Sequence, residues 1–335
     1  MSSRFLVPDP QHPVARADGP PTFSVIIAAY QAAATIAEAV ESALGQTVPP
    51  LEVVVCDDGS TDGTGAALTP YEDRIVYVRK ENSGEASAKN AAAQAASGDY
   101  VVILDADDIF APKRLEALGE LATLRPDLDI LTTDAYLEFD GRVIKRCYEG
   151  GMRFVVNDQR SGILEQNFVF GHAAVRRQSW LAVGGFDPEI VGTTDWDCWI
   201  RMIIGGSRVG LVDEPLAYYR LHGASLTAQR ASLIRNRIAT LEKTSRHPSL
   251  SDGERRVVAG AITRQHRLLA LADARAALIQ RRPDARRRSF AVALQRGVGL
   301  RTRLKALASA LAPGLAARLL ARAPQELAGG VFVRR

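Results

Sequence analysis

The chain has 335 residues, of which 47% are hydrophobic and 24% are charged, and such values are ordinary for globular proteins. This length allows one large domain with an appendage or two small domains. No uninterrupted apolar run reaches the roughly 18 residues that a membrane-spanning helix needs.

Charge is divided unevenly along the chain. Residues 1–225 contain 19 basic and 32 acidic residues, a net charge of −13, whereas residues 226–335 contain 23 basic and 6 acidic residues, a net charge of +17. This division predicts a domain boundary near Ser225 and different partners for residues 22–225 and 226–335. Residues 1–21 contain five prolines and no apolar core segment, so we predict a disordered leader there rather than a secretion signal.

Cysteine usage indicates the compartment. Cys56, Cys147 and Cys198 lie far apart and match no zinc-binding spacing. Thiols that serve as small buried hydrophobic groups suit a reducing environment. We therefore expect a cytoplasmic protein.

Strands and helices alternate after the leader. Apolar runs predict strands at 22–29, 51–56, 74–78 and 101–104, with helices at 32–44 and 84–96. This alternation predicts βαβ crossovers and an α/β domain with a mostly parallel, Rossmann-like sheet. Ligands of such sheets bind beyond the carboxyl ends of the strands, where Tyr30, Asp57, Asp58 and residues 105–108 lie.

Asp105, Asp107 and Asp108 directly follow the predicted buried strand at 101–104. Burying an unpaired carboxylate costs several kcal/mol, so this strand is expected to end at a cleft that contains positive charge. Carboxylates one residue apart can hold one hard divalent cation, which prefers oxygen ligands. The alternative is that Asp107 or Asp108 caps the helix that starts near Pro112.

The alternation ends after a helix predicted at 115–124. The sequence then predicts a strand at 130–133, a hairpin at 136–146, a strand at 168–175, a turn at 184–188, a helix at 195–204, and short strands at 208–212 and 216–221. Asp195 and Asp197 open the predicted helix, where acids commonly cap it or complement its dipole. Trp196 and Trp199 on that helix either pack in the core or form a sugar platform.

Seven short motifs follow one another along residues 22–225. They are FSVIIAAYQ at 23–31, VVVCDDGSTDGT at 53–64, NSGEASAKNAA at 82–92, GDYVVILDADD at 98–108, VGGFD at 183–187, TTDWDCWIRM at 193–202 and YYRLHGAS at 218–225. In content and order they resemble the motifs of the family 2 glycosyltransferases, which have the GT-A fold. Residues 226–335 lie outside this resemblance.

The resemblance implies an inverting transfer of a sugar from a nucleotide diphosphate, UDP- or dTDP-linked, to a hydroxyl acceptor on a glycan or a lipid-linked glycan. Such a transfer would belong to cell-surface polysaccharide or glycolipid assembly, with Mn²⁺ or Mg²⁺ as cofactor. By position, the resemblance implies nucleotide binding by Ala28, Tyr30, Asp57, Asp58, Lys89 and Asp105, metal binding by Asp105, Asp107 and His222, catalysis by Asp195 as base, and acceptor contacts by Trp196 and Asp197.

The sequence departs from the family pattern at two places. Ala29 and Gln31 flank Tyr30 where family members often have proline and asparagine. Thr194 precedes Asp195 where the family usually has glutamate, and this difference bears on how the acceptor is positioned.

Two other functions compete with the transferase. A nucleotide-sugar-binding scaffold without catalysis would not need all of the acids named above. A sugar nucleotidyltransferase also uses a Rossmann-like sheet and paired acids, but it needs a loop rich in glycine and arginine after the first strand, and residues 28–32 read Ala-Ala-Tyr-Gln-Ala. Lys89 is open to two interpretations as well, a charge for phosphates or a partner for an acid.

Residues 226–335 predict helices separated by turns. Leu300, Leu304, Leu307 and Leu311 form one stripe, which Arg301, Arg303 and Lys305 flank. Helices that lie on anionic membrane surfaces show this arrangement, so we expect peripheral attachment to the inner membrane face. The alternative is a helical subdomain whose leucines pack on the catalytic domain. The region lacks aromatic residues interleaved with its basic residues and lacks a recognisable nucleic-acid-binding fold, so nucleic acid is not an expected partner.

Overall fold

The computed structural model describes residues 4–10, 19–149, 152–221, 226–322, 325–327 and 331–333. The chain divides into two compact units, residues 1–222 and residues 223–335. The predicted boundary near Ser225 falls outside the described residues. Among the helices that the structure describes, none has the length and apolar character needed to cross a membrane.

The described part of the first unit contains one mixed sheet with the central strand order β1-β10-β7-β9-β5-β2-β3-β4, while β6 pairs with β10 and β8 with β7. Its strands are β1 (Phe5–Leu6), β2 (Phe23–Ala29), β3 (Glu52–Asp57), β4 (Val76–Arg79), β5 (Tyr100–Asp105), β6 (Ile109–Phe110), β7 (Ile130–Phe139), β8 (Arg142–Arg146), β9 (Ala174–Arg176) and β10 (Val209–Leu221). The pairs β5–β2, β2–β3, β3–β4 and β10–β7 are parallel. The predicted α/β class with a mostly parallel central sheet is therefore confirmed.

Helices cover the sheet and supply several of the side chains discussed below. They are α1 (Ile36–Leu44), α2 (Thr64–Leu68), α3 (Glu85–Ala95), α4 (Arg114–Leu124), α5 (Gln159–Glu165), α6 (Arg177–Ala182) and α7 (Thr194–Ile204). α3 packs on β2 and β3 through buried alanines such as Ala88 and Ala92. Small side chains let this helix lie close to the sheet, so a residue on its inner face reaches the strand ends.

Apolar, β-branched runs explain the central strands. Val25, Ile26, Ile27 in β2 and Val101 to Leu104 in β5 are fully buried, as expected for strands covered on both faces. The structure shortens other predicted elements. The helix predicted at 32–44 begins only at Ile36, and of the strand predicted at 168–175 only Ala174 and Val175 belong to β9.

Two further predictions were wrong in detail. The predicted strands at 208–212 and 216–221 form the single strand β10, whose pairing with β7 shifts register on both sides of Pro215, because proline cannot donate to the ladder. Part of the predicted disordered leader is also ordered. β1 pairs antiparallel with β10, with Phe5 opposite Val212, and the Pro8 carbonyl accepts a 2.8 Å hydrogen bond from Arg125.

The second unit is mainly helical. Its described elements are α8 (Leu226–Ser245), α9 (Asp252–Ile279), α10 (Ala285–Leu294), α11 (Leu300–Leu311), α12 (Pro313–Arg322) and the strands β11 (Gln325–Leu327) and β12 (Val331–Val333), which pair antiparallel. α8 packs on α9, and α10 packs on α9 and α11. A capping box between Ser251 and Glu254 starts α9, because each residue satisfies a backbone N–H of the other. The short hairpin is an addition to the predicted helical extension.

Candidate active site

The carboxyl ends of three adjacent parallel strands meet at one edge of the sheet, which we call the site edge. β2 lies between β3 and β5, and its Ala28 is paired with Cys56 on one side and Asp105 on the other. Ala28 is half-buried, and Tyr30 beyond it is 54% exposed. Both residues therefore lie where a ligand of a parallel sheet is expected.

Asp57 is the last residue of β3 and Asp58 follows it; both are buried, and their carboxylates hold local backbone in place. Asp57 accepts a 2.8 Å hydrogen bond from the Ser60 N–H. Asp58 accepts hydrogen bonds from the Gly84 N–H at 2.7 Å and from Lys80 Nζ at 2.8 Å. Both carboxylates are engaged by neighbouring groups in this structure, and their nucleotide-binding role stays a prediction. Their observed role is to order the loops that border the site edge.

Lys89 projects from α3 to the end of β5. Its Nζ lies 2.6 Å from Asp105 Oδ1 and 2.6 Å from Glu85 Oε1, and the lysine side chain is buried. Burial by itself lowers the pKa of Lys89, but the carboxylates of Asp105 and Glu85 outweigh it and raise that pKa. Burial likewise acts to raise the pKa of Asp105, and Lys89 reverses this to well below the usual value. Both groups are therefore charged, and the lysine is the partner of an acid.

Asp105, Asp108 and His172 form a compact cluster, which we call the acid–histidine cluster. His172 Nε2 lies 2.7 Å from Asp108 Oδ2 and 3.5 Å from Asp105 Oδ2, and one ligand atom from each residue lies within 4.8 Å of the others. Asp108 and His172 are each 1% exposed. The short contact is not aligned as a hydrogen bond, and Asp108 Oδ2 and both ring nitrogens of His172 have no hydrogen-bond partner.

This cluster fits a divalent cation. The ligand atoms of the three residues lie close enough together for one cation to contact all of them. Two carboxylates and one imidazole suit Mn²⁺ and, less well, Mg²⁺, which prefers oxygen ligands alone. The structure thus brings Asp108 and His172 to Asp105, whereas Asp107, half-buried in the same turn, is not part of the group. The other predicted ligand, His222, lies outside the described residues.

Arg114, from the first turn of α4, supports the segment that carries His172. Its guanidinium is fully buried and donates to the His172 carbonyl and to Thr133 Oγ1. It also lies 4.5 Å from the centre of the Phe110 ring, a cation–π contact. Burial lowers the pKa of Arg114 to about 9. A second support is the backbone N–H of Arg220, which donates to Asp108 Oδ1 at 2.7 Å.

Asp195 lies in the first turn of α7, after the helix cap at Thr193. Its Oδ2 accepts a 2.8 Å hydrogen bond from Asn167 Nδ2, and a Cβ placed on Gly171 would lie 3.8 Å from the same oxygen. The carboxylate is therefore adjacent to the segment that carries His172. Burial raises the pKa of Asp195, although the hydrogen bonds from Trp196 and Asn167 act in the opposite direction.

The two candidate acceptor contacts are buried and have partners within the protein. Trp196 is 2% exposed, and its indole N–H donates to the Ile163 carbonyl at 2.7 Å. Asp197 is also 2% exposed and pairs with Arg201 Nε at 2.8 Å, one turn along α7. Helical spacing turns both side chains into the protein interior, and their contact with an acceptor stays a prediction.

The predicted turn at 184–188 lies against α3. Asn90 donates to the Phe186 carbonyl at 2.7 Å and accepts from the Phe186 N–H at 2.8 Å. Gly185 has φ +69°, and a Cβ there would collide with Asn90 Oδ1, so glycine is required. Arg201 also donates to the Gly185 carbonyl at 2.6 Å. The turn thereby fixes α3, and with it Lys89, whose Nζ lies 5.8 Å from the Phe186 ring centre.

Tyr219, in β10, lies beside the acid–histidine cluster. Burial raises the pKa of its hydroxyl, and the charges of Asp108, Asp105, Asp107 and Asp195 raise it further. The Tyr219 ring lies 6.1 Å from that of His172. The sequence analysis assigned no role to Tyr219 or His172. The available signals were the aromatic strand end before His222 and the Gly171-His172 pair inside the predicted strand at 168–175.

Comparison with known proteins gives the class. Residues 24–184 match the family described as Glycosyl transferase family 2. The chain is 30% identical to a putative teichuronic acid biosynthesis glycosyltransferase of Bacillus subtilis over 215 aligned residues. The alignment covers 63% of this chain and 83% of the relative. The chain therefore belongs to glycosyl transferase family 2, as the motifs indicated.

A second relative is longer than this chain. The chain is 30% identical to a chondroitin synthase of Escherichia coli over 222 aligned residues. The alignment covers 64% of this chain and 31% of the chondroitin synthase. A solved mannosyltransferase from Pyrobaculum calidifontis, in complex with GDP-mannose and Mn²⁺, aligns with a TM-score of 0.62 at 22% identity and covers 93% of this chain and 88% of that one. The predicted GT-A fold is confirmed.

Proposed function

We propose that this chain is a metal-dependent, inverting glycosyltransferase that moves a sugar from a nucleoside diphosphate to a hydroxyl acceptor. The observation that carries the proposal is the acid–histidine cluster of Asp105, Asp108 and His172, with Asp195 Oδ2 beside Gly171, the residue before His172. Three acids with different partners in one place match a reaction that must hold a charged leaving group and accept a proton.

The leaving group sets the first requirement. Cleavage of the bond between the anomeric carbon and diphosphate leaves negative charge on phosphate oxygens and an oxocarbenium-like sugar. A divalent cation held by Asp105, Asp108 and His172 would supply Lewis acidity that stabilises this leaving charge. Asp107, implied as a ligand by the family resemblance, is proposed as an additional contact from the same turn. Lys89 holds Asp105 in one orientation through its 2.6 Å ion pair.

The acceptor sets the second requirement, since its hydroxyl must lose a proton while it attacks the face opposite the leaving group. We propose Asp195 as the base that accepts this proton. Asn167 fixes one carboxylate oxygen at 2.8 Å. The raised pKa of Asp195 makes it a stronger base than an ordinary aspartate, and it remains deprotonated only above that pKa.

For the donor we propose a uridine or thymidine diphosphate sugar, with Ala28 and Tyr30 beside the nucleoside. The exposed Tyr30 ring can stack on a base, and the small Ala28 leaves room at the strand end. The preference for a pyrimidine rests on the family resemblance, because the Asp58 carboxylate is occupied by Lys80 and Gly84. Calorimetry with UDP and GDP tests it, and tighter binding of GDP would overturn this preference.

For the acceptor we propose a glycan or lipid-linked glycan in cell-surface polysaccharide assembly. The names of the two relatives, a chondroitin synthase and a teichuronic acid biosynthesis glycosyltransferase, support this class. We place the reaction in the cytoplasm, in keeping with three cysteines that are all buried and free.

The direct test is to incubate the purified chain with a panel of nucleotide sugars, short glycan acceptors and Mn²⁺, and to measure nucleoside diphosphate release. We expect release to stop in EDTA and to return with Mn²⁺. Asp108→Asn should cost several orders of magnitude in rate, because it removes one proposed ligand. Full turnover in EDTA would refute the metal requirement. Formation of nucleotide sugar from sugar phosphate and nucleoside triphosphate would indicate the nucleotidyltransferase, and donor binding without turnover would indicate the scaffold.

A further inference from the structure

α11 and α12 both expose leucines, and we call these side chains together the leucine stripe. On α11 the spacing of four, three and four residues places these side chains on one face of the helix. The exposed fractions run from 37% to 72%. Isolated exposed leucines are normal, but a contiguous series marks an interaction surface. The stripe consists of Leu300, Leu304, Leu307, Leu311, Leu315 and Leu319.

The opposite faces of the same helices are already packed, so the stripe is not a misplaced core. Ala310 of α11 is 2% exposed. Ala316 and Leu320 of α12 pack against the core cluster of the second unit, which consists of Ala277, Leu278 and Ala285. The inward faces are thus filled with other residues, and within the described second unit the leucine stripe faces outward.

Cations surround the leucine stripe. Arg301, Lys305 and Arg318 are exposed on the same two helices. The neighbouring α10, which packs on α11, exposes Phe290 at 48% and Leu294 at 63% beside further arginines. The whole of residues 226–335 carries a net charge of +17. An apolar stripe bordered by arginine and lysine is the pattern of a helix that lies in a membrane interface.

We propose that the leucine stripe and its flanking cations dock on the surface of an anionic lipid bilayer. The leucines would enter the boundary between headgroups and acyl chains while the cations meet anionic headgroups. A second copy of this chain fits less well, because bringing two surfaces of high positive charge together is repulsive. A nucleic acid would neutralise the cations but leave the leucines in water. Of these three occupants, the anionic membrane is the one that matches both the leucines and the cations.

The test is co-sedimentation of the full chain with vesicles. Phosphatidylcholine vesicles serve as the neutral surface, and vesicles that also contain phosphatidylglycerol serve as the anionic one. We expect binding to the anionic vesicles at low ionic strength, and a loss of about tenfold or more in 1 M salt, where the Debye length is about 3 Å. Equal binding to neutral vesicles, or no binding to either, would overturn the proposal.

Matched variants separate the two contributions. Leu304→Ser/Leu311→Ser should weaken vesicle binding by about tenfold or more, whereas Leu51→Ser/Leu124→Ser should not, although it removes leucines of similar exposure from the first unit. Equal losses in the two pairs would show that the stripe has no special role.

A second set of variants tests the contribution of the cations. Arg301→Glu/Lys305→Glu should weaken binding by more than tenfold, since each cation near an anionic surface contributes a factor of about five. Arg74→Glu/Arg142→Glu makes the same change of net charge at exposed positions of the first unit and should have little effect. Circular dichroism confirms that each variant is folded. A wild-type dimer in light scattering that disappears in Leu304→Ser/Leu311→Ser would instead assign the stripe to self-association and overturn the proposal.

Discussion

The site edge of the first unit and the leucine stripe of the second place their side chains in opposite settings. At the site edge, Lys89, Asp105 and Asp108 are buried or half-buried, and each lies within 2.7 Å of an oppositely charged or titratable partner. On the stripe, Leu300 and Leu311 are 72% and 70% exposed. Burying charge and exposing leucine are both unfavourable in isolation. The partners that we propose would offset these costs: a cation with phosphates at the site edge, and the apolar part of a membrane at the leucine stripe.

The largest effect is expected at the site edge. Asp195→Asn should lower kcat by about 10²–10⁴-fold, the usual contribution of a general base, because the amide cannot accept the acceptor proton. Donor affinity, measured by calorimetry, should stay close to wild type, since Asp195 lies on α7 rather than at the strand ends that we propose for the donor. Asp197→Asn is the control. It breaks a buried ion pair with Arg201 and should lower stability while the folded enzyme keeps its kcat.

The pH dependence gives an independent check on Asp195. A base works only when it is deprotonated, and burial raises the pKa of Asp195, so kcat should fall as pH drops through a value above the 3.9 or so of a free aspartate. Asp195→Asn should remove this acid limb from its residual activity. An unchanged limb in the variant would assign it to another group.

A smaller effect, on stability, is expected from Lys89. Lys89→Met removes the ammonium group that pairs with Asp105. We expect a loss of about 2–3 kcal/mol in the free energy of unfolding. This is less than for a fully buried pair, because the Asp105 side chain is 30% exposed and water can reach it. Urea unfolding measures the change. The double variant Lys89→Met/Asp105→Asn should recover part of the loss, and strict additivity would contradict the pairing.

The smallest effect is expected on the leucine stripe, and a matched pair of substitutions compares it with the first unit. Leu118→Ala on α4 removes a fully buried side chain and should cost about 2–5 kcal/mol. Leu304→Ala on α11 removes one that is 57% exposed and should change stability by less than about 0.5 kcal/mol. Because both are helical leucines, helix propensity cancels. A large loss for Leu304→Ala in urea unfolding would mean that the stripe is covered in the free protein.

Much of the fold could be predicted because local patterns report burial. Val101 to Leu104 is apolar throughout, and this predicts a strand covered on both faces. The first unit's β2, β3 and β5 lie within one or two residues of their predicted positions. Long-range pairing was not predictable in the same way. Phe5–Leu6 becomes a strand only because β10 offers it an edge, and nothing within a proline-rich segment encodes that partner.

The site shows the same division. The predicted acids Asp105 and Asp195 both lie where the reaction is proposed, and their positions relative to a strand end and a helix start were readable from sequence. His172 could not be recognised as a partner of Asp108, because 63 residues separate them in sequence and only tertiary packing, with Arg114 bound to the His172 carbonyl, brings them together. Trp196 and Asp197 show the reverse. Their neighbourhood to Asp195 in sequence suggested acceptor contact, but the turn of α7 directs them into the interior.

The sequence by itself determined the family, the α/β class, the acids that follow β5, and the charge contrast between the two parts of the chain, because each of these is a local pattern or a sum over residues. Only the tertiary structure decided which acid meets which partner. In the folded chain Asp58 contacts Lys80 and Gly84. Lys89 pairs with Asp105, and Asp108 pairs with His172. The physical reason is that a buried charge is stable only beside a compensating group a few ångströms away, and that distance is set by how strands and helices pack.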